Sequence, residues 1–522
     1  MKTYLLVAAL AATVLLANWL TSDGEDIPSS DAELVISGPF EMVSQDPSEA
    51  GYVFTRMQVL ETLVDVSSHG ELQAGLATDW QHSDDFTEWR FQIRPNVSFH
   101  DGTPMTLASV VNSLRIARQK PGPLKGLPIE SIDTSAATNE LVITLSEPYR
   151  PMAAVLANYS TAILAPASYQ GDDHHVEQVI ATGPYQVAEL SLPHRLQTQR
   201  FDGYWGAKPA IASADYITGH RSETRALMLQ NGQADIVYNL DPASMDMLSH
   251  AEGVHVSSVA IPRTIAIKLN TALPLLNSVA GRRALSLAID RQGIAMGILR
   301  VPGSAANQLF GPAMGDWYNP NLTQPQRDLT SANQLLDQLG FNWPAGSQFR
   351  LFEGKPLQLD MVTYANRPEL ITIATAIQAQ WADVGVQVNV LVDNSSAIPA
   401  GHHSGELQTA LMARNFASVP DTLSVMLKDF ADANGGDWGP MNWDYPPLFA
   451  LLQQMKTEQD PGLFHQQAQQ AAAMLAAQLP MIPVTFYQQQ TGISDRVKGF
   501  RFDPYERSFH ISDMQLNAEP QP

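Results

Sequence analysis

Hydrophobic and polar positions alternate strictly over Glu88-Trp89-Arg90-Phe91-Gln92-Ile93-Arg94. Trp89, Phe91 and Ile93 take one side and charged or amide groups take the other, which is the period of a half-buried β-strand. Pro95-Asn96 turns the chain, Val97-Ser98-Phe99 can pair back, and Asp101-Gly102 is a second turn signal. Thr106 then caps a helix whose apolar stripe is Val110, Val111, Leu114 and Ala117. Two later segments repeat a helix-then-strand pattern. Ser222 caps a helix that ends at Asn231-Gly232, and Ala234–Tyr238 follows as a strand. Pro368 opens a helix with Leu370, Ile373, Ile377, Trp381 and Val384 on one face, Gly385 stops it, and Val386, Val388, Val390 and Val392 alternate as the next strand. Glu33–Ser37, Ile265–Asn270 and Ile482–Tyr487 read as further strands. Helices alternating with strands predict an α/β molecule with helix-covered sheets.

A chain of 522 residues is too long for one ordinary core, so two or three domains are expected. The net charge of -22 repels phosphate backbones and anionic bilayers, which argues against nucleic-acid and membrane-surface roles. The absence of cysteine removes disulfides, thiol catalysis and zinc–thiolate sites together. At the N-terminus, one lysine precedes an apolar run from Tyr4 to Ala17, which reads as an export signal over about the first 25 residues. The adjoining Leu15-Leu16-Ala17-Asn18 lacks the cysteine of a lipid-attachment box, so a thioether lipid anchor is excluded and the mature protein is expected in the periplasm.

No phosphate-cradling GxxxxGK, no GxGxxG after a strand, no HExxH and no GxSxG elbow occurs, so no catalytic role is expected. His100-Asp101 sits at a turn with no nucleophile or third group beside it, and reads as structural. The pairs His174-His175 and His402-His403 fall in polar, Gly-flanked stretches and read as solvated loop histidines; a weak divalent site at 172–175 stays open, and no metal site is assigned.

The residues in QVLETLV…GELQAGLATDWQHSDDFTEWRFQIRPNVSFHDGTPMTLASVVNSLRIAR resemble the signature region of the peptide/nickel solute-binding proteins of ABC importers, family 5. ATGPYQVAEL, RFDGYWGAKPAI, ETRALMLQNGQADIV, RRALSLAIDRQGI, IQAQWADVGVQVNV and LPMIPVTFY resemble later family segments in the same order. The resemblance implies a bilobal, periplasmic-binding-protein-like fold of type II, in its large cluster, with two crossing hinge strands, here Ile265–Asn270 and Ile482–Tyr487. Lobe 1 would cover 31–266 and 487–522, with a subdomain at about 75–215, and lobe 2 would cover 267–486. It implies a monomer that closes on a solute and hands it to an inner-membrane ABC permease, with no cofactor.

Family 5 handles peptides, nickel chelates, amino-acid-derived metallophores, haem and some sugars, and the reading stays open between a short peptide or amino-acid-derived molecule and a metal chelate or haem. By position in the family pattern, ALMARNFASVPD lines the cleft. Arg414 could clamp a ligand carboxylate, or pair with a carboxylate of its own lobe. Asn415 could read an amide, and Phe416 could stack on the solute or belong to the core. GGDWGPMNW offers Trp438, Asn442 and Trp443, of which some but not all should touch solute. Ser395 and Ser396 follow a strand end, a frequent binding position. AGYVFTR offers Tyr52, with Phe54 and Arg56 weaker, in an early loop. Nickel-binding relatives place a histidine near Asn434, an arginine near Asn158-Tyr159 and a tyrosine at Pro420. These departures argue against the same chelate.

Overall fold

The computed structural model describes residues 33–135, 138–365 and 367–517, and the apolar run read as an export signal lies outside them. A ten-stranded mixed sheet runs through the molecule, in the order Tyr185–Ser191, Arg195–Arg200, Ser213–Thr218, Glu33–Gly38, Ile236–Tyr238, Met481–Ser494, Val254–Leu269, Thr409–Asn415, Gln358–Tyr364, Gln387–Asp393. On one side Glu33–Gly38 is parallel to Ser213–Thr218 and Ile236–Tyr238. On the other, Gln358–Tyr364 is parallel to Gln387–Asp393 and Thr409–Asn415. Helices cover these parallel stretches, as the alternation of helical and strand patterns requires.

The two sides are joined by Val254–Leu269 and Met481–Ser494, which pair antiparallel from Val254↔Ser494 to Lys268↔Met481. The sequence-predicted strands at 265–270 and 482–487 are one end of these longer strands. Their register slips in the middle. Ala260 faces Gln488 and Thr264 faces Phe486, so residues 261–263 bulge opposite Tyr487. The bulge separates the part of the crossing strands beside Ile236–Tyr238 from the part beside Thr409–Asn415.

Each side of that crossing has its own core. The largest hydrophobic cluster runs from Ile265 to Val484 and centres on helix Pro368–Ala382, whose Trp381 is fully buried and donates to Leu285 O at 3.1 Å. Truncating such a residue costs roughly 3–5 kcal/mol. A second cluster, from Leu63 to Ala165, packs the four-stranded antiparallel sheet Ala77–His82, Glu88–Ile93, Glu140–Leu145, Ile129–Ser135 against helix Leu107–Gln119. Thr106 forms a capping box with Ser109 at that helix's start. A third cluster joins Leu34, Ile36 and Tyr216 to Ile493 and Phe509. No described helix is long and apolar enough to cross a membrane.

Four details depart from the sequence reading. The strands at 185–218 belong to the ten-stranded sheet, so the separate four-stranded layer is narrower than 75–215. Ser222 does not cap its helix. Arg221 holds that position, and the Ser222 hydroxyl joins Ser244 Oγ at 2.8 Å. Val97–Phe99 pairs across the Asp101-Gly102 turn with Thr103–Met105, not back onto the preceding strand. His402 and His403 lie on helix Ala397–Ser404.

His100-Asp101 is structural. His100 Nε2 lies 3.0 Å from Gly183 O, Ala181 N–H donates to His100 Nδ1 at 3.3 Å, and burial pulls the imidazole down to about 4. A neutral ring that donates at Nε2 and accepts at Nδ1 satisfies both bonds. Asp101 accepts from Thr103 N and Oγ1 within its turn.

Candidate functional site

The carboxyl ends of the parallel strands on the two sides of the crossing face one cleft, the position where open α/β sheets bind ligands. From the first side come Pro39 and Phe40, just past Glu33–Gly38, and Asn239, just past Ile236–Tyr238. From the second come Tyr364 and Arg367, Ser395, and Arg414 with Asn415, each at or just past a strand end. With Arg263 and Trp438 they wall a cavity of about 250 Å³. A neighbouring cavity of about 360 Å³ shares Pro39, Asn239 and Arg367 and extends past Tyr487 to His220, Arg221 and Asp241. A groove of about 520 Å³ also exists, but only residues 55–205 and 501–513 line it. A ligand there would touch one side of the molecule and could not favour closure.

The bulge brings the charged groups together. Arg263 lies within it, beside Asn415 on one neighbouring strand and with its guanidinium 5.3 Å from the centre of the Tyr487 ring. Arg367 lies 5.0 Å from the same ring and donates to Tyr487 Oη at 2.6 Å, and that hydroxyl donates to Glu369 Oε1 at 2.9 Å. Arg263 pairs with Glu506 at 2.6 Å, and Arg56 reaches the other oxygen of the same carboxylate at 3.4 Å. Burial pushes Glu506 up, but the guanidinium groups of Arg263, Arg56 and Arg367 outweigh it and hold the carboxyl below its ordinary value. Two features leave guanidinium donors available. Arg263, 8% exposed, keeps one guanidinium nitrogen buried with no hydrogen-bond partner. Arg367 has no carboxylate within ion-pair distance among the described residues. No acidic side chain lines the 250 Å³ cavity.

Arg414 borders the same cavity, but its Nε donates to Asp429 Oδ2 at 2.9 Å and a second guanidinium nitrogen reaches the same oxygen. Asp429 is fully buried, so pairing within its own lobe describes most of this guanidinium. Lys268 works beside it. Its fully buried ammonium lies 2.6 Å from His402 Nδ1 and donates to Asp437 O at 2.8 Å, and burial pulls it down to about 7. Arg414 and Lys268 thus hold the loop that presents Trp438 to the cavity.

The other sequence-predicted residues divide cleanly. Ser395, Asn415 and Trp438 border the cavity. Phe416 is fully buried against Phe310 at 5.2 Å, and Trp443 stacks on Tyr445 at 5.6 Å inside the large cluster. Both are core. Ser396 faces solvent and bonds Asn394, and Asn442 donates to Asn270 Oδ1 at 2.8 Å outside both cavities. Tyr52 lies on helix Pro47–Arg56, not in a loop, donates to Glu41 O at 2.7 Å and packs on Phe40. Phe54 is core and Arg56 serves Glu506. Asn158 donates to Ser418 O at 2.8 Å and so ties the two sides together. Sequence reasoning missed Arg263, Arg367 and Tyr487. The available signal was an arginine after a proline inside an apolar strand, Ile261-Pro262-Arg263-Thr264-Ile265.

A model for bacterial extracellular solute-binding proteins, family 5, matches residues 71–437. The chain belongs to that family. The solute-binding protein is 28% identical over 364 residues to the nickel-binding periplasmic protein of Escherichia coli (strain K12), covering 68% of this chain and 69% of the relative. It is 25% identical over 456 residues to the probable D,D-dipeptide-binding periplasmic protein DdpA of the same strain, covering 85% of each. Its fold matches NikA from Brucella suis, solved in complex with Fe(III)-EDTA, with a TM-score of 0.83 at 20% identity over 93% of this chain and 100% of the other. These solved relatives are bilobal, and the mixed sheet crossing between two cores is the same architecture.

The family signature segments have a structural role in this solute-binding protein. Glu61, from LETLV, accepts from Thr182 Oγ1 of ATGPY at 2.7 Å, and from Tyr204 Oη and Trp205 Nε1 of DGYWG at 3.0 Å each. Burial pushes this carboxyl up to about 7 although all three donors oppose the rise. Three distant segments are thereby fixed at one point.

Proposed function

We propose that this protein is the exported solute receptor of an ABC importer and that it captures a short peptide or amino-acid-derived solute by its carboxylate. The lobes divide at the 261–263 bulge and Tyr487, and closure brings both walls of the cleft onto the solute. The single observation that carries this reading is the pair of guanidinium groups on a cavity without acidic residues, Arg263 with one nitrogen unpartnered and Arg367 with no ion-pair carboxylate among the described residues. A carboxylate between two planar donors gains bidentate, charge-assisted hydrogen bonds. Trp438, Tyr364 and Phe40 supply apolar wall, and Asn239, Ser395 and Asn415 supply polar groups for the rest of the solute. Adjoining cavities of about 250 and 360 Å³ suit a small solute and not a long chain.

A second reading rests on the presence of more than one available guanidinium. A polycarboxylate metal chelate offers the same anionic face and brings its own metal ligands, and a relative of this chain is a nickel-binding protein. Native mass spectrometry of the protein as purified separates the two by the mass and isotope pattern of the retained solute. The recovered solute is then titrated against wild type and Arg367→Ala, a variant that strands no buried carboxylate. The expected result is a carboxylated solute and an affinity loss of at least about tenfold, roughly 1.4 kcal/mol. A solute without an anionic group, or equal affinity in the variant, would refute the carboxylate reading.

A further inference from the structure

At the first lobe's edge of the cleft, three chain segments far apart in sequence are locked together by main-chain bonds. Met42 N donates to Pro193 O at 2.9 Å, Thr218 N to His194 O at 2.8 Å, and Gly219 N to Gly38 O at 2.9 Å. The Thr218 hydroxyl adds a bond to Phe40 O at 2.9 Å. Arg225 stiffens the same corner, because its guanidinium donates to Gly219 O and, at 2.6 Å, to Asn239 O. The backbone that carries residues 41, 194 and 220 is therefore a fixed platform.

On that platform one carboxylate and two imidazoles converge. The ligand-type atoms of Glu41, His194 and His220 all lie within 4.8 Å of one another. The rings of His194 and His220 stand 5.5 Å apart and nearly perpendicular, at 87°, so their nitrogens can approach one point from different directions. His220 Nε2 is 3.6 Å from Glu41 Oε1, beyond hydrogen-bonding distance. Among the described residues, the imidazole nitrogens of His194 and His220 make no hydrogen bond within the protein. A tetrahedral ion with bonds of about 2.0–2.1 Å needs its ligand atoms about 3.3 Å apart.

We propose that Glu41, His194 and His220 form a site for one divalent transition-metal ion. Two imidazoles and one carboxylate select zinc, nickel or copper over magnesium and calcium, which prefer all-oxygen shells. Three protein ligands leave coordination positions open. His220 also lines the 360 Å³ cavity, so these positions adjoin the cleft. The site is distinct from the guanidinium pair, and it stands whether or not the solute carries a carboxylate.

The test uses the full mature chain without a polyhistidine tag, stripped of metal, with Zn²⁺ or Ni²⁺ alone as titrant and no solute. Wild type is compared with His194→Ala, His220→Ala and Glu41→Gln, and with His174→Ala/His175→Ala as the control for adventitious binding by an exposed pair. The expected result is one ion per chain, an affinity loss of at least about tenfold in each histidine variant, and none in the control. Far-ultraviolet melting curves establish that each variant is folded. His194→Asn and His220→Asn replace any variant that is not. Cu²⁺ electron paramagnetic resonance gives an independent readout, with nitrogen coupling expected in wild type and reduced in His194→Ala or His220→Ala. Absence of stoichiometric binding by wild type, binding that survives loss of both histidines, or loss in the control alone would overturn the proposal.

Discussion

Arg414 and Asp429 make a partnership whose removal has a sign that can be worked out beforehand. Asp429 is fully buried, and Arg414 is its ion-pair partner. Arg414→Ala leaves a buried carboxylate uncompensated, which typically costs 3–5 kcal/mol. The expected outcome is a large drop in the denaturation midpoint, mostly reversed by adding Asp429→Asn. A simple ligand anchor would instead lose affinity with little change in stability and no rescue. Glu61 gives a pH prediction of a different kind. Its carboxyl sits at about 7 in the fold against an ordinary value of 4.5. Between those values the folded chain holds a proton that the unfolded chain has released, so stability falls as pH rises through that window. The effect is on the order of 3 kcal/mol at most. Glu61→Gln removes this titration, so chemical denaturation from about pH 5 to 7.5 should give a flatter stability profile than wild type. Parallel profiles would rule Glu61 out as the titrating group. At this scale the sequence was least legible. Phe416 and Trp438 are each a lone ring in a largely polar or Gly-rich stretch, yet one is core and one faces the cavity, because an aromatic ring suits either environment. Arg263 was hidden for a related reason. An arginine in a strand reads as solvent-facing, and only the bulge turns it into the cleft.

Elements were far more legible than side chains, and the exceptions have a common cause. The strand Glu88–Ile93 and the helix Leu107–Gln119 follow directly from their alternation and cap. The crossing strands showed only the ends at 265–270 and 482–487. Over 254–260 the first strand is only partly buried, and over 261–269 it is buried at every position, so no single period spans it. The glycines of the loop at 435–443 suggest a flexible segment. The fold uses its glycines for close approach instead. A Cβ on Gly439 would lie 2.3 Å from Asp429 O. Gly439→Ala must therefore displace the loop from the Arg414–Asp429 pair and move Trp438 from the cavity wall. The expected outcome is weaker solute binding together with a stability loss of roughly 1–3 kcal/mol, measured by titration and by denaturant unfolding. Unchanged affinity would mean that Trp438 does not contribute to the cleft.

At the scale of the whole molecule, the conformation seen is one in which the lobes touch. Tyr149 Oη meets Ser424 Oγ at 3.2 Å, Arg150 lies 3.7 Å from Asp421, and Val419 is buried within the cluster of the four-stranded layer. These contacts lie away from the guanidinium groups and join segments on opposite sides of the crossing. Contacts of this kind that part on opening stabilise the closed form. A solute that binds both walls shifts the population toward that form by its differential affinity, and contacts between the lobes shift it in the same direction without touching solute. Tyr149→Phe/Ser424→Ala removes one tie from both partners, so neither hydroxyl is left buried and unpaired. The loss of about 0.5–1.5 kcal/mol from the closed form should lower solute affinity by up to about tenfold. In X-ray scattering the ligand-free double variant should be more expanded than wild type, while the two converge at saturating solute. Affinity and ligand-free dimensions equal to wild type would show that this contact does not help to set the opening equilibrium. A difference that persists at saturation would show that the variant alters the closed form itself.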